Sequence, residues 1–173
     1  MSSKPPSSPY PPDRSDDAEA DLDLGDLTDT LVEDVDWANR RSPRLALLRV
    51  EVQRSRFTGA ELGESTLTDV TLADCRLDLV GLRFARLRRV VFRDCRMSGC
   101  DLYGATLEDV LFERCELREA TFSAARIERV ELRGCELAGL LGVDALRGAR
   151  MPWNDVLANA PLFAIASGIE IVD

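Results

Sequence analysis

The chain has 173 residues, a formal net charge of −9 and 45% hydrophobic residues, which suits one domain with a core and a terminal extension. It contains no histidine, so the usual general base at neutral pH is missing, and we do not expect an enzyme. No apolar run reaches the roughly 20 residues of a membrane-spanning helix. The polar, proline-rich start does not resemble a signal peptide, so we expect a cytoplasmic protein without membrane contact.

The negative charge is concentrated near the N-terminus. Residues 1–45 hold 11 acidic and 5 basic side chains, whereas residues 46–145 hold 17 and 15. Because the arginines are interleaved with acids and few aromatic residues accompany them, no direct nucleic-acid binding is expected. All basic residues except Lys4 are arginine, which we interpret as the bias of a GC-rich bacterial genome.

Residues 1–25 are rich in proline, serine and aspartate. A segment of this composition buries too little apolar surface to offset the entropy lost on ordering. We therefore predict a disordered acidic tail.

An apolar register with a period of five begins near residue 30, and we predict a β-helix over 30–145. Val32 and Trp37 fall on this register and predict an incomplete first turn, and residues 38–44 interrupt it and predict a short loop. The register then continues without a break to Leu137. The large residues that we predict as inward-facing centres are Phe57, Leu62, Leu67, Leu72, Leu77, Leu82, Leu87, Phe92, Met97, Leu102, Leu107, Phe112, Leu117, Phe122, Ile127, Leu132 and Leu137.

A second inward position lies two residues before each centre and holds nothing larger than valine. One large and one small inward residue per five suit a narrow tube. All five cysteines occupy this position, so we expect them to pack as small buried hydrophobic residues. The predicted small inward residues are Ala60, Val70, Cys75, Ala85, Val90, Cys95, Cys100, Ala105, Val110, Cys115, Ala120, Ala125, Val130 and Cys135.

A period of five fits neither a helix nor a flat strand. Five helical residues overshoot a full turn by about 140°, and an odd step along a strand changes face. A chain that turns a corner every five residues keeps each centre facing one axis. Because like residues recur every 20 positions, as in Val50, Val70 and Val90, we predict four sides per coil and an all-β solenoid of about five coils.

The register fails at Gly142, and residues 146–173 have a different pattern. Apolar residues between Pro152 and Ser167 have the spacing of an amphipathic helix, and Pro161 predicts a kink or two short helices. An open solenoid end exposes apolar side chains and unpaired strand groups. We therefore interpret 146–173 as an α-helical cap, with a homodimer contact as a second interpretation of the same segment.

The repeats resemble those of pentapeptide-repeat proteins, whose loose consensus is A(D/N)LXX. Segments such as GCDLYGATLEDVLFERCELREATF carry the resemblance, which covers about residues 45–145. It implies a right-handed quadrilateral parallel β-helix. Because one fold hosts many functions, it specifies the fold more closely than the activity.

Two functions stay open. In the first, a rigid rod is a protein-interaction scaffold for a partner that the sequence does not identify. In the second, implied by a distant resemblance to quinolone-resistance members of the family, the rod mimics DNA, binds DNA gyrase or topoisomerase IV and protects it from fluoroquinolones. The nearly balanced charge of residues 46–145 departs from that of DNA, so the scaffold is our leading hypothesis.

No catalytic, cofactor-binding or metal-binding residues are predicted. Acids and arginines alternate in columns 20 residues apart, as in Asp69 and Arg89, which favours pairing between coils over an acid–base site. Without histidine a zinc site would need four cysteines, and one column of thiols cannot surround an ion. The partner surface that we predict comprises Val91, Leu111 and Tyr103, which lie off the inward positions.

Overall fold

The computed structural model describes residues 4–12, 16–17 and 25–172. The remainder of the predicted acidic tail lies outside the described residues. Within them, one parallel sheet follows the order of the chain. Its strands are β1 (Asp16–Asp17), β2 (Leu27–Glu33), β3 (Ala46–Gln53), β4 (Thr66–Ala73), β5 (Arg86–Arg93), β6 (Thr106–Glu113) and β7 (Arg126–Arg133).

Each coil contains twenty residues. Leu67 of β4 aligns with Leu87 of β5, and the six long strands keep this offset throughout. Isolated parallel bridges on the other sides, such as Arg76 with Arg96, keep it too. The chain is therefore a β-solenoid of about five turns with a short helical C-terminal region, and the predicted right-handed quadrilateral parallel β-helix is confirmed.

The corners of the coils are residues in the left-handed backbone region. Every fifth residue from Asp29 to Gly139 has a positive φ, and most of these residues are not glycine. A left-handed conformation costs such residues about 1–2 kcal/mol each. Hydrogen bonds between coils offset this cost, for example from the Leu62 N–H to the Gly81 carbonyl at 2.8 Å.

The core is one continuous column of side chains inside the tube. Residues at the large inward positions, such as Leu102 and Phe112, have no exposed surface. Phe92 and Phe112 stack with ring centroids 5.1 Å apart. Ile127 and Ala125, in the last coil, are half-buried and pack against this core.

Residues 38–44 follow the coil rather than forming the short loop that the interrupted register predicts. Arg41 forms a parallel bridge with Glu61, and the Ser42 N–H donates to the Glu61 carbonyl at 2.9 Å. Arg40, at the small position, is exposed instead of inward. Backbone hydrogen bonds to the next coil thus hold this side in place without a large apolar centre.

Stacked cysteines form a column of weak hydrogen-bond donors below Ser55. The Ser55 hydroxyl donates to the Gln53 carbonyl at 2.8 Å, and the Cys75 thiol donates to the Ala73 carbonyl at 3.2 Å. The same bond, two residues back, recurs in the following coils. All five cysteines are free and buried, and burial raises the pKa of the Cys100 thiol to about 12. The four thiols of the column therefore pack and donate to the backbone, whereas Cys100 packs on another side.

Residues 4–12, which we call the strap, lie against the rod in place of the disorder predicted for this part of 1–25. The Ser7 N–H donates to Asp109 Oδ1 at 2.9 Å, and the Tyr10 N–H donates to Asp69 Oδ1 at 3.1 Å. Farther along, β1 pairs with the edge of β2. Proline restricts the unfolded chain and so lowers the entropy lost on docking, and hydrogen bonds to carboxylates are strong. The prediction of disorder from composition took neither of these two effects into account.

The C-terminal segment closes the last coil. At Gly142, with φ 74°, an added Cβ would lie 2.3 Å from the Ser123 amide nitrogen, so a side chain does not fit. A 3-10 turn follows at Val143–Leu146, then helices α1 (Trp153–Ala158) and α2 (Ala160–Ala166). Two short helices agree with the expectation from Pro161. Neither helix, nor any other in the described part of the chain, has the length and apolar character to cross a bilayer.

Leu102→Lys tests the assignment of the inward positions. It places an ammonium group at a fully buried site, and we expect the free energy of unfolding to fall by more than about 4 kcal/mol. Thr106→Lys is the matched control at an exposed position of the next side. Because Arg86 and Arg126 flank it in register, we expect a loss of no more than about 1 kcal/mol. Urea unfolding followed by circular dichroism measures both variants, and equal destabilisation would contradict the register.

Candidate interaction surfaces

The outer surface of the rod offers three regions for contact with another molecule: an exposed aromatic cluster, the corner under the strap, and a groove at the C-terminal end. Among residues 4–12, 16–17 and 25–172, no group of three or more His, Cys, Asp or Glu side chains is arranged to hold a metal ion.

The first region lies on the side of the rod whose centres include Leu82. Leu79 and Phe84 occupy the two corners that bound this side, with 67% and 54% of their surface exposed. Arg83 lies beside Phe84 in the same coil, and Tyr103 lies in the next coil. We call Leu79, Arg83, Phe84 and Tyr103 the Phe84 surface.

Three members of the Phe84 surface hold one another in place. The rings of Phe84 and Tyr103 meet edge to face, with centroids 5.6 Å apart. The Arg83 guanidinium lies 4.6 Å from the Tyr103 centroid and 5.8 Å from the Phe84 centroid. Arg83 also donates to Asp101 at 2.9 Å. Since edge-to-face and cation–π contacts have preferred geometries, these contacts orient the cluster before any partner arrives.

Leu79 and Phe84 occupy backbone positions that disfavour them. Their φ angles are 60° and 58°, a region in which bulky residues are outliers. The corresponding corners of the next coil are Gly99 and Gly104, and a Cβ on Gly104 would lie 2.6 Å from the Phe84 ring. Glycine therefore leaves the space that the ring occupies. Strained residues of this kind cluster at functional sites.

The structure separates the three residues predicted as a partner surface. Tyr103 is half-buried within the Phe84 surface. Val91 and Leu111 lie on a different side, where Val91 is only 7% exposed and Leu111 is half-buried. The expectation that Val91 faces solvent is therefore wrong.

Val91 occupies an outward position, as its register predicts, and yet it is buried. It lies in the coil of Arg89, across which the strap passes from Asp109 to Asp69. Leu79 and Phe84, at outward corner positions, are the exposed apolar residues instead. The sequence does contain a sign of this exposure. Leu79 and Phe84 are apolar residues at the corner position of the five-residue repeat, which elsewhere holds mostly Asp, Arg, Glu and Gly.

The second region is the corner under the strap, where acids and arginines alternate from coil to coil. Arg89 donates to both oxygens of Asp69 at 2.6 Å, and Arg129 donates to Asp109 from Nε at 2.7 Å. We call this set the acid–arginine column; its members are Asp29, Arg49, Asp69, Arg89, Asp109 and Arg129.

Two carboxylates of the acid–arginine column are buried and yet charged. Asp69 and Asp109 are 5% and 6% exposed. Hydrogen bonds from Arg129, and then from Ser7, lower the pKa of Asp109 to about 2. Arg89 and the Tyr10 amide likewise lower the pKa of Asp69. Charge-assisted hydrogen bonds thus outweigh the desolvation that would raise both values.

The third region is a groove of about 780 Å³ between the last coil and the two helices. Leu141 and Ile165 line it and are 57% and 67% exposed. Trp153 and Leu157 of α1 are also exposed, and neither helix has a buried residue. The helices therefore cover the end of the rod only in part and present an apolar surface of their own.

The twenty-residue coils, the left-handed corners and the apolar core define the class of protein: the chain belongs to the pentapeptide repeat family. The model of this family, described as a pentapeptide repeat region, matches residues 45–122 and 65–140, which together span more than half of the chain. Among curated proteins, none matches the chain.

Several solved structures are similar in fold. A pentapeptide repeat protein from the thylakoid lumen of Arabidopsis thaliana is 20% identical, with a TM-score of 0.51, over 54% of this chain and 65% of that one. A trypsin-treated variant of QnrB1, a plasmid-mediated fluoroquinolone resistance protein, is 14% identical, with a TM-score of 0.44, over 83% and 99%. The pentapeptide repeat protein Rfr23 of the cyanobacterium Cyanothece 51142 is 17% identical, with a TM-score of 0.33, over 61% and 86%. At such identities the similarity concerns the fold alone.

Asp109→Asn tests the acid–arginine column through pH. Because the folded pKa of Asp109 is about 2, below its ordinary 3.8, its stabilisation is complete above about pH 5 and is lost as the pH falls toward 2. Between pH 6 and pH 3 we expect this group to account for about 1 kcal/mol of the loss in unfolding free energy. Urea titrations at both pH values should therefore show a smaller loss for D109N than for wild type. An equal loss would contradict the assignment.

Proposed function

We propose that the protein is a rigid, non-enzymatic interaction scaffold that binds a protein partner through the Phe84 surface. The observation that carries the proposal is the pair of exposed apolar side chains, Leu79 and Phe84, on corners whose backbone conformation disfavours them. A side chain that costs backbone energy and buries little of itself contributes little to folding. Contact with a partner gives both residues a role.

The chemistry of the Phe84 surface suits a protein interface. Aromatic residues and arginine are enriched where interfaces bind most strongly. Arg83 already has Asp101 as its ion-pair partner at 2.9 Å, so a partner that covers Phe84 and Tyr103 leaves no unpaired charge. The cluster is also oriented in advance, which lowers the entropy cost of binding.

The rod is a suitable platform for such a surface. Its coils stack about 4.8 Å apart, so five coils extend for about 24 Å. Each coil is hydrogen-bonded to the coils before and after it, for example through Leu82 N–H to Asp101 carbonyl at 2.7 Å. The Phe84 surface lies near the middle of this length, in the coils that contain Leu82 and Leu102.

Modulation of DNA gyrase or topoisomerase IV by DNA mimicry is the alternative. A DNA mimic presents free acids along its length, whereas acids of this rod pair with arginine: Asp94 with Arg114 at 2.7 Å, and Glu136 with Arg118 at 2.7 Å. This pairing weakens a DNA-like potential, so we favour the scaffold. Supercoiling by purified gyrase, with and without ciprofloxacin, distinguishes the two proposals, because inhibition or drug protection by this protein would support the alternative.

Phe84→Asp tests the scaffold directly. The ring is exposed and aspartate tolerates the left-handed conformation, so we expect little change in stability. Ala124→Asp is the control, since Ala124 is an exposed corner of the same column, with φ 58°, two coils away. Proteins captured from an extract of the source organism would be purified, and their Kd measured for wild type and both variants.

The expected result is a partner whose Kd rises at least about tenfold for F84D, as for an interface hot spot, and stays unchanged for A124D. If every purified partner binds F84D as tightly as wild type, the Phe84 surface is not the contact. A loss shared equally by both variants would also contradict the proposal, because it would place the contact elsewhere on this column.

We further infer that the C-terminal helices pair two copies of the chain. The exposed Trp153, Leu157 and Ile165, beside the groove, supply an apolar surface on which a second copy can bury the same residues. We expect light scattering to give twice the 19.2 kDa of one chain, and Trp153→Asp to give a single-chain mass. F84D is the control and should keep the double mass. A single-chain mass for wild type would overturn the dimer.

A further inference from the structure

The strap presents few amide hydrogens to the rod. Five of its nine residues are proline, so its N–H groups belong to Lys4, Ser7, Ser8 and Tyr10. Ser7 and Tyr10, three residues apart, direct their N–H groups to the rod at 2.9 and 3.1 Å. The two strap amides that bind the rod are therefore one interval of three residues apart.

The spacing of the two acceptors matches a polyproline II helix. Asp69 and Asp109 lie two coils apart, which is about 9.6 Å. One turn of a polyproline II helix has three residues and rises about 9.3 Å, so the amides of residues i and i+3 face the same way. A β-strand covers a similar distance, but it places residues i and i+3 on opposite faces. The acids of the column recur every second coil, so their spacing is about the length of one polyproline II turn.

Arg89 adds a contact with the strap between these two acceptors. The Arg89 guanidinium is held by Asp69 at 2.6 Å and lies 5.5 Å from the centroid of the Tyr10 ring, within the range of a cation–π contact. Pro12, at the end of the strap, is buried as well. The corner thus combines two acceptors for amide hydrogens with a cation beside the aromatic ring.

Detachment of the strap leaves no buried charge without a partner. Asp69 keeps both hydrogen bonds to Arg89, and Asp109 keeps those to Arg129 at 2.7 and 2.9 Å. A carboxylate has about four lone-pair sites, so each acid can accept the strap amide in addition to its arginine. The corner is therefore complete with or without the strap, as an exchangeable binding site requires.

We propose that the corner formed by Asp69, Arg89 and Asp109 is a binding site for proline-rich segments in the polyproline II conformation, and that the strap is its intramolecular ligand. The segment it selects has two N–H groups three residues apart, with an aromatic residue at the second. A partner protein that carries such a segment competes with the strap for the site. This site shares no residue with the Phe84 surface.

The test is binding of a fluorescein-labelled peptide of residues 4–12, KPPSSPYPP, to the full-length protein. Ser7→Pro in the protein removes the N–H that Asp109 accepts while it keeps the polyproline conformation, so it weakens the strap. Ser8→Pro also adds one proline but leaves the Ser7 and Tyr10 amides in place, and it is the matched control. Fluorescence anisotropy gives the apparent Kd.

We expect the peptide to bind S7P with an apparent Kd at least about fivefold lower than for wild type or S8P, because a larger fraction of S7P has the site free. A second peptide with Ser7→Pro should bind S7P at least about fivefold more weakly than the first. Variation of the peptide does not affect folding of the protein, so this second comparison stands even if the protein variants differ in stability.

A crosslinking experiment locates the peptide. With a benzophenone in place of the Tyr10 ring, we expect the peptide to crosslink to residues 86–93 of S7P. Equal binding to S7P and S8P, equal binding of the two peptides, or crosslinks confined to other coils would each overturn the proposal.

Discussion

Closure of every coil in twenty residues is the constraint on which the other features of this rod depend. A left-handed residue at every fifth position turns the chain, and the parallel register then places each residue beside the one twenty positions later. The stacked phenylalanines, the column of thiol donors and the alternating charges all follow from this offset. One inserted residue would move an outward charge to an inward position in every later side of the coil, so the repeat has little tolerance for insertions inside its sides.

The offset also decides how the charges act. Inside the acid–arginine column each charge has opposite charges before and after it, as Arg89 has Asp69 and Asp109. Exposed pairs elsewhere, such as Arg114 with Asp94, contribute little each because water screens them. Buried members such as Asp109 contribute more, and their low pKa reflects it. The rod therefore has many arginines but little net charge along its length. Against this nearly neutral surface, the exposed apolar side chains are the most distinctive features available to a partner.

The apolar register was sufficient to predict the sides, the coils and the inward residues, because core packing depends on side-chain size and spacing. It did not identify the left-handed corner, although the recurrence of Asp and Gly at one position was a usable signal. The coil at 38–44 escaped prediction because backbone hydrogen bonds, which leave no mark in side-chain pattern, hold it. The docking of the strap escaped as well, since it depends on a hydrogen bond between Ser7 and Asp109, which are 102 residues apart in the chain.

That long separation has a consequence for the order in which the molecule assembles. Contacts within the rod join residues about twenty positions apart, so each coil can settle soon after its residues leave the ribosome. The strap is synthesised before all of them, yet its acceptors are 59 and 102 residues downstream. Ser7 cannot reach its acceptor until the coil of Asp109 exists. The strap is thus among the last parts of this sequence to dock, and until then its proline-rich segment is accessible to other proteins.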